Sequence, residues 1–349
     1  MMVIHIVGAR PQFIKLSPVI RAFKGAEIPY KVVHTGQHYD YTMSDMHFET
    51  LNLPDPEYHL GIGSGSHARQ TALMLEGIEK VLMKEKPSLL LVYGDTNSTL
   101  AGALCAAKLG VPVGHVEAGV RSFDRNMPEE INRILTDHIS QHHFCPTQNA
   151  VNLLKAEGIN GILSGDVMYD ALIEFSRISV NLPYPSPFIL TTIHRAENTN
   201  NSGRFMAIWE GLNMIARDIP VIFPMHPRTR DLYPEVLKNQ GTGITIIEPV
   251  SYLHMLAMIK DASCIVTDSG GVQKEAFLLK TPCVTVRDTT EWPETVEAGA
   301  NRIIGTDPEC IYHTVMEMMQ SAGFDHENPF GDGKASITIA EYIKNTCMD

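Results

Sequence analysis

Short apolar runs alternate with longer amphipathic stretches along almost the whole chain. The short runs have the length of buried strands, and the longer stretches have the apolar spacing of one helix face. This alternation is typical of βαβ units, in which helices cover both faces of a parallel sheet. It predicts two sets of strands, the first at 3–8, 31–36, 89–95, 111–119 and 142–147, and the second at 188–194, 221–226, 244–249, 264–271, 283–288 and 302–306.

A proline-rich stretch at 181–187 separates the two sets, and the alternation restarts after it. We therefore predict an α/β protein with two doubly wound, Rossmann-like domains. The first domain ends near Val167 and the second runs to Gly333, while the last helical pattern, 334–345, fits on either domain. Ligands of open α/β sheets bind beyond the carboxyl ends of the strands, so we expect the chemistry to collect in an inter-domain cleft.

The charge balance narrows the range of partners. Lysine and arginine total 28 against 40 aspartate and glutamate residues, which gives a formal net charge of −12. Nucleic acids and anionic membranes are held mainly by clustered basic residues, so neither is an expected partner. An acidic protein can still bind an anionic small molecule, because one pocket with a few basic side chains and a helix N-terminus is sufficient.

The cysteines and the N-terminus favour a cytoplasmic protein. The six cysteines have no metal-site spacing and several lie in apolar runs, so we expect buried, reduced thiols and no metal. The first apolar run has no charged leader, and no apolar stretch reaches the roughly 18 residues of a membrane span. We therefore expect neither a signal peptide nor a membrane segment.

The segment that follows the first strand combines a glycine turn, two basic side chains and a helix start, from Gly8 to Lys15. Backbone N–H groups at a helix start attract an anion, which Arg10 and Lys15 would flank. The segment lacks the spacing of a GxGxxG fingerprint or a P-loop, so a nicotinamide cofactor and ATP are not favoured. The alternative is an ordinary strand-to-helix turn with solvated basic side chains.

Three carboxylates follow predicted strands or open a helix in the first half of the chain: Asp95, Glu117 and Glu129. Because the carboxyl ends of parallel strands meet at one edge of a sheet, we expect these side chains to lie near one another. Carboxylates that crowd together raise each other's pKa, which makes a general acid and a general base available near neutral pH. The alternative for Asp95 is a helix N-cap with no further role.

Basic residues end two strands of the second set. His194 and Arg195 follow one strand, and His226 follows the next. A histidine is more often structural than catalytic, but the His-Arg pair at a strand end favours a functional role.

Ser269, Gly270 and Gly271 form a turn directly at a helix start. Two glycines let a backbone approach a phosphate closely, and Glu275, one turn further on, is placed to accept both hydroxyls of a ribose. This combination predicts a nucleotide whose own sugar does not react. The segment 287–294 has a tryptophan among charged residues, and a capped surface loop is the alternative there.

The candidate residues together indicate a nucleotide-sugar enzyme. The chain also resembles the non-hydrolysing UDP-N-acetylglucosamine 2-epimerases, a family whose fold is of the GT-B type. The resemblance runs through the ordered motifs GARPQFIK, TGQH, VYGDTNST, HVEAGVRS, PEEINR, GDVMYDAL, TTIHRAEN, TDSGGVQKEA and TTEWPE. It implies that 334–349 returns to the N-terminal domain, so that the domains are 1–167 with 334–349, which carries the carboxylates, and 168–333, which binds UDP.

The resemblance also implies roles for individual residues. Those that match UDP-contacting positions are Arg10, Lys15, His194, Ser269, Gly270, Gly271 and Glu275. Those that match the acid/base carboxylates are Asp95, Glu117 and Glu129, and His194 is a further catalytic candidate that stabilises the leaving group. The implied reaction removes the carbon-2 proton while UDP leaves carbon 1, and UDP then adds back to give the epimer. This route requires no cofactor and no metal.

Departures from the common family pattern concern the substrate. Common members read GTRPEAIK and TERPE, whereas this chain has Ala9, Gln12, Phe13 and Trp292. This combination is similar to the branch that acts on UDP-2,3-diacetamido-2,3-dideoxy-glucuronic acid, which is the alternative to UDP-N-acetylglucosamine. A GT-B glycosyltransferase shares the fold and a UDP site, and it is the alternative from a different class.

The resemblance further implies a homodimer and, in bacterial members, a regulatory pocket in which the substrate itself activates. Gln37 and His38 match part of this pocket, and Arg195 and His226 would complete it. Asp40 departs from the pattern, since those members often have glutamine there.

Overall fold

The structure is a computed structural model that describes residues 2–37, 51, 53–184, 186–234, 236, 243–320 and 327–347, without the side chains of Pro227 and Arg228. The chain divides into two compact units, which are described separately. The first unit comprises Met1–Ile173 and Asn328–Asp349, and the second comprises Glu174–Glu327.

The first unit is built on a parallel sheet. Its strands are β1 (Val3–Val7), β2 (Tyr30–His34), β3 (Tyr58–His59), β4 (Leu89–Tyr93), β5 (Val113–Val116), β6 (His142–Cys145) and β7 (Ile162–Leu163). They lie in the order β3-β2-β1-β4-β5-β6-β7. Its helices are α1 (Arg10–Gly25), α2 (His67–Glu85), α3 (Asn97–Lys108), α4 (Pro128–Ile139), α5 (Gln148–Ala156), α6 (Val167–Phe175), which crosses the boundary of the unit, and α14 (Ala335–Cys347).

The second unit repeats this arrangement. Its strands are β8 (Ile189–Thr192), β9 (Val221–Pro224), β10 (Ile244–Ile247), β11 (Cys264–Thr267), β12 (Cys283–Thr285) and β13 (Asn301–Ile303). They lie in the order β10-β9-β8-β11-β12-β13 and are all parallel. Its helices are α7 (Ala196–Thr199), α8 (Ser202–Ile215), α9 (Pro227–Leu232), α10 (Tyr252–Asp261), α11 (Gly270–Leu278), α12 (Pro293–Glu297) and α13 (Pro308–Gln320).

The central strands are buried on both faces, which is why their positions are visible in the sequence. Every residue of β1 and of β4 is buried. Parallel strands that helices cover on both sides appear as uninterrupted apolar runs. The two-residue strands β3 and β7 have no such run, and the sequence analysis does not predict them. No helix among the described residues is both long and apolar enough to cross a membrane.

Each sheet reverses its strand order at one place, the switch point. In the first unit the reversal lies between β1 and β4, and in the second it lies between β8 and β11. Ligands of doubly wound sheets bind beyond the carboxyl ends of the two strands at such a point. The segments that follow these four strands are therefore the expected positions of ligand-binding and catalytic residues.

The C-terminal helix α14 belongs to the first unit and is capped there by Asp170 of α6. The Asp170 carboxylate accepts hydrogen bonds from the backbone N–H groups of Ala335 (3.1 Å) and Ser336 (2.7 Å) and from the Ser336 hydroxyl (2.6 Å). Helix α14 also packs against α1. One buried side chain thus satisfies two of the N-terminal N–H groups that a helix leaves unpaired.

Replacing Asp170 with alanine is expected to destabilise the first unit by about 1–2 kcal/mol, because α14 loses its cap. Differential scanning calorimetry of Asp170→Ala should show a lower melting temperature. The control is Asp332→Ala, since the Asp332 side chain is 71% exposed in its ion pair with Lys334. Equal melting temperatures for the two variants would show that the cap does not hold the helix.

Candidate active site

The turn after β1 is held in shape by Gln12. Its side-chain oxygen accepts hydrogen bonds from the N–H groups of Gly8 (2.8 Å) and Ala9 (3.1 Å), and its Nε2 donates to the Tyr93 carbonyl (2.9 Å). Gln12 therefore joins the ends of β1 and β4 at the switch point of the first unit. An ionised glutamate would accept hydrogen bonds only, so the amide fits this position. Arg10, the first residue of α1, lies partly exposed beside the turn.

Lys15 and Glu117 form a largely buried ion pair. The Nζ atom of Lys15 lies 2.5 Å from Oε1 of Glu117, and the two side chains are 9% and 11% exposed. Gly94, which follows β4, runs beside the pair. A Cβ at this position would lie 2.8 Å from the Lys15 Nζ, and the φ of Gly94 is +63°, so both space and backbone conformation favour glycine.

The backbone of Glu117 is in the left-handed region, with a φ of +74°. Residues other than glycine rarely adopt this conformation, which costs of order 1–3 kcal/mol and occurs preferentially at functional sites. The N–H groups of Glu117 and Ala118 both donate to the Phe144 carbonyl, at 3.1 and 3.0 Å, which holds the turn. The structure thus maintains a strained backbone where the sequence predicts a catalytic carboxylate.

Asp95 is not a helix N-cap. The N-cap of α3 is Thr96, whose side chain accepts from the Thr99 N–H. The Asp95 carboxylate instead forms an ion pair with Arg133, and its carbonyl accepts a hydrogen bond from Nδ2 of Asn132 at 2.9 Å. Two consecutive residues of α4 therefore hold both the side chain and the backbone of Asp95.

Asp95 and Glu117 each contact a basic side chain, and the sequence analysis does not predict these ion pairs. A basic residue beside each carboxylate reduces the repulsion between negative charges, so several carboxylates can occupy one edge of the sheet. Glu129, the third predicted carboxylate, lies half-buried in the first turn of α4.

Glu130 is a positioning residue that the sequence analysis does not single out. It is fully buried and accepts hydrogen bonds from the N–H and hydroxyl of Ser122, from the Phe123 N–H and from Arg133. It thereby holds Arg133, which in turn contacts Asp95. The signal in the sequence is the second glutamate of PEEINR, but which of the two adjacent glutamates points inward depends on the packing of α4.

A buried hydrogen-bond network of His115, Asp137 and Arg121 holds the backbone next to the Lys15–Glu117 pair. Nε2 of His115 lies 2.7 Å from the Gly94 carbonyl, and its Nδ1 lies 2.7 Å from Asp137. Arg121 donates to the second oxygen of Asp137 at 2.6 Å. Burial alone would raise the pKa of Asp137, but His115 and Arg121 hold it below the ordinary value. The network fixes the backbone of Gly94 beside the Lys15–Glu117 pair.

In the second unit, Asp268 organises the turn that follows β8. It is fully buried and accepts hydrogen bonds from the N–H of His194 (3.1 and 3.2 Å) and the N–H of Arg195 (3.0 Å). Nδ1 of the His194 ring lies 3.4 Å from the same carboxylate, and this side chain is half exposed. The structure thus brings His194 to the switch point, next to the start of α11.

The turn before α11 leads directly into a helix N-terminus. Ser269 is the N-cap, and its hydroxyl accepts from the Val272 N–H at 3.4 Å. A Cβ at Gly270 would lie 3.2 Å from Glu291, 3.5 Å from Nε1 of Trp292 and 3.7 Å from Arg195, so this position is crowded by polar atoms. Glu275 lies buried one turn into the helix.

The segment 287–294 is only partly buried: Arg287, Glu291 and Trp292 are buried, whereas Asp288 and Thr289 are exposed. Arg287 is buried and donates to Glu291 at 2.7 Å and to Glu197 at 3.2 Å, while Arg195 contacts the other oxygen of Glu291 at 3.4 Å. These ion pairs bind the segment to the turn that holds His194.

Trp292 belongs to the same buried layer. Nζ of the buried Lys274 lies 4.1 Å from the centre of its ring, which is the geometry of a cation–π contact. The backbone N–H of Trp292 donates to the hydroxyl of Thr290, which itself donates to Gln273 at 2.6 Å. The tryptophan therefore packs against α11 and does not stand free at the surface.

The residues predicted to form a regulatory pocket have different surroundings. Gln37 is buried, and its side-chain oxygen accepts from the N–H (3.0 Å) and hydroxyl (2.7 Å) of Ser98 at the start of α3. His226 is exposed after β9, and Arg195 takes part in the ion pairs above. His38 lies outside the described residues.

Comparison with known proteins gives the family. A family model described as UDP-N-acetylglucosamine 2-epimerase matches residues 21–344. The chain belongs to this epimerase family. The family prediction is therefore confirmed, and so is the fold class of two Rossmann-like, doubly wound α/β domains of the GT-B type.

Individual epimerases are similar to this chain along nearly their full length. A UDP-N-acetylglucosamine 2-epimerase of Methanocaldococcus jannaschii is 47% identical and covers 97% of this chain, as this chain covers 97% of it. A UDP-2,3-diacetamido-2,3-dideoxy-D-glucuronate 2-epimerase of Pseudomonas aeruginosa is 46% identical, with coverages of 98% and 99%. The crystal structure of the M. jannaschii epimerase in complex with UDP-GlcNAc and UDP matches with a TM-score of 0.92, at 46% identity and over 99% of this chain and 100% of that one.

Proposed function

We propose that this protein is a non-hydrolysing UDP-N-acetylglucosamine 2-epimerase that interconverts UDP-GlcNAc and UDP-ManNAc. The observation that carries the proposal is the Lys15–Glu117 pair: a strained backbone and a buried lysine hold one carboxylate beside the switch point. The M. jannaschii relative supports the choice of sugar nucleotide, because its crystal structure is a complex with UDP-GlcNAc and UDP.

The proposed reaction is an elimination followed by an addition. One carboxylate takes the carbon-2 proton, the bond between carbon 1 and the UDP oxygen breaks with its electron pair on UDP, and 2-acetamidoglucal remains. A second carboxylic acid then protonates carbon 2 from the opposite face while UDP adds back to carbon 1. Asp95, Glu117 and Glu129 are the candidate acid and base. Expulsion of a diphosphate is feasible when cationic groups stabilise its charge, and Arg10, Lys15 and His194 are proposed for that role.

The proposed UDP site is the turn of Ser269, Gly270 and Gly271 with Glu275 behind it. Backbone N–H groups at the start of α11 attract the diphosphate, since a helix N-terminus carries a partial positive charge. Glu275 is placed on the first turns of the same helix to accept the ribose hydroxyls. The same unit supplies His194, whose half-exposed ring lies next to this turn.

Gly271→Ala is expected to weaken UDP binding by about tenfold, because the new Cβ occupies the space that a bound phosphate needs. The protein itself has room for this atom, as its nearest neighbour is the Ser269 hydroxyl at 3.9 Å. Alanine also favours a helix over glycine by up to about 1 kcal/mol, so the melting temperature should not fall. Isothermal titration with UDP and calorimetric melting measure the two effects, and unchanged UDP affinity would place the diphosphate elsewhere.

The function is tested by proton NMR of the purified protein with UDP-GlcNAc in deuterated water. We expect UDP-ManNAc to appear and the carbon-2 proton of the substrate to exchange for deuterium. A glycosyltransferase would leave carbon 2 unlabelled, so the absence of exchange with UDP-GlcNAc and with the alternative substrate below would overturn the epimerase assignment.

The second candidate substrate is UDP-2,3-diacetamido-2,3-dideoxy-glucuronic acid. Its support is the P. aeruginosa relative, whose identity of 46% nearly equals that of the M. jannaschii epimerase, together with Trp292 in place of the common arginine. The same NMR experiment with this nucleotide decides between the two candidate substrates. Carbon-2 exchange in this nucleotide, without exchange in UDP-GlcNAc, would show that the protein acts on the diacetamido-glucuronate substrate.

A homodimer and a cytoplasmic location complete the proposal: the family resemblance supports the dimer, and the scattered cysteines support the location. We also propose that Gln37, His38, Arg195 and His226 take part in substrate activation. Turnover of UDP-ManNAc with and without trace UDP-GlcNAc tests the activation, and light scattering after size exclusion tests the dimer.

A further inference from the structure

The geometry points to Asp268 as a positioning residue for His194, whose ring it orients through Nδ1 so that the opposite nitrogen, Nε2, is presented to the leaving diphosphate. The part of this inference that concerns the leaving group rests on the proposed function. The orientation of the ring itself does not, and it can be measured in the protein without substrate.

Asp268 is connected to the His194 turn by several independent contacts. It follows β11 directly, and β11 pairs with β8 so that Thr267 lies opposite Thr192, two residues before His194. Its carboxylate accepts hydrogen bonds from the backbone N–H groups of His194 and Arg195. It also accepts one from Nδ2 of Asn198, at 3.1 Å. The backbone of the turn is therefore fixed relative to the carboxylate that faces the ring.

A neutral acceptor would satisfy the backbone of this turn, but a carboxylate adds a charge next to the imidazole. Oδ1 of Asp268 is fully buried and lies 3.4 Å from Nδ1, while half of the His194 side chain is exposed. A buried aspartate on one ring nitrogen selects the tautomer that carries hydrogen there and stabilises the protonated ring. Nε2, the opposite nitrogen of the ring, is then the atom available to a ligand at the start of α11 in this proposal.

The other charged groups around this turn pair with one another. Arg195 contacts Glu291, and Arg287 contacts Glu291 and Glu197. Arg287 also interacts electrostatically with Asp268, so removal of the Asp268 charge should act on this guanidinium as well as on the ring of His194. Arg287 has no proton to lose near neutral pH, so the titration reports the ring.

The experiment is nitrogen-15 NMR of histidine-labelled protein, with the His194 signal assigned by its loss in His194→Asn. In the wild type we expect the neutral ring to carry its hydrogen on Nδ1. In Asp268→Asn we expect the titration midpoint of this ring to fall by about one pH unit and the tautomer to shift toward Nε2–H. We also expect kcat to fall about 10- to 100-fold while KM changes much less.

Asn198→Ala is the structural control, because it removes the hydrogen bonds of Asn198 to Asp268, Val286 and Arg204 and leaves the Asp268 charge in place. Asn198→Ala should not move the midpoint of the ring titration. In Asp268→Glu the midpoint should stay close to the wild-type value, because the negative charge is kept. An Nε2–H tautomer in the wild type, or an unchanged midpoint and tautomer in Asp268→Asn, would overturn the inference. If the wild type shows no carbon-2 exchange, the proposed function fails, and the ring measurement still decides how Asp268 acts.

Discussion

Glu117→Gln is expected to lower the epimerase kcat by about a thousandfold and to abolish carbon-2 exchange, because an amide cannot take or give the proton. The substitution keeps the shape of the side chain but removes the negative charge that Lys15 faces at 2.5 Å. Asp95→Asn should have a loss of similar size, since it removes a second candidate for the acid or base and leaves Arg133 paired with Glu130. Deuterium incorporation and steady-state rates measure both effects.

UDP affinity separates loss of chemistry from loss of structure. Both variants should still bind UDP, because the proposed turn of Ser269, Gly270 and Gly271 belongs to the second unit and neither substitution removes a residue proposed to contact UDP. Glu79→Gln on α2 is the matched control, as Glu79 is an exposed glutamate of the same unit, and it should retain full activity. A Glu117→Gln protein that still exchanges carbon 2 at the wild-type rate would remove Glu117 from the reaction.

Acidification below about pH 6 is expected to destabilise the first unit strongly, because two of its histidines are buried and neutral. Burial lowers the pKa of His5 from 6.5 to about 3. Burial, with a smaller contribution from the nearby His59, lowers the pKa of His34 to about 4. Unfolding exposes both rings, which then bind protons near the ordinary value of 6.5.

The lowered pKa values of the two histidines determine how the stability changes with pH. A histidine with a lowered pKa in the folded state contributes stability that is present above 6.5 and is lost as the pH falls toward the folded value. Each such group contributes a slope of about 1.4 kcal/mol per pH unit in that window, so the two together give roughly 2.8 kcal/mol per unit. The window runs from 6.5 to about 4 for His34 and to about 3 for His5.

Calorimetric melting between pH 7 and pH 5 tests this expectation. In His5→Gln the dependence of the melting temperature on pH should be clearly weaker, even if the variant is less stable at neutral pH because it loses the contact with the Tyr93 hydroxyl at 2.7 Å. His313→Gln is the matched control, since the His313 side chain is 67% exposed, and it should keep the wild-type dependence. The same dependence in both variants would show that His5 does not take part.

The sequence predicts the strand-like runs correctly because covered parallel strands must be apolar along their whole length. It also places Asp95, Glu117, His194 and Ser269 directly after strands, and parallel strands put such residues at one edge of a sheet. The fold class follows from the alternation of apolar runs with amphipathic stretches, and the family follows from the ordered motifs. The two-residue strands β3 and β7 are not predicted, since so short a run carries no periodicity.

The tertiary structure alone decides which side chains meet. Lys15 and Glu117 are 102 residues apart, and only the strand order brings them within 2.5 Å. The left-handed backbone of Glu117, the inward orientation of Glu130 and the burial of Arg287 depend on packing between elements that are distant in sequence. Local patterns thus determine the strands and the residues at their ends, whereas contacts, charge pairs and strained conformations arise from the order in which the strands assemble.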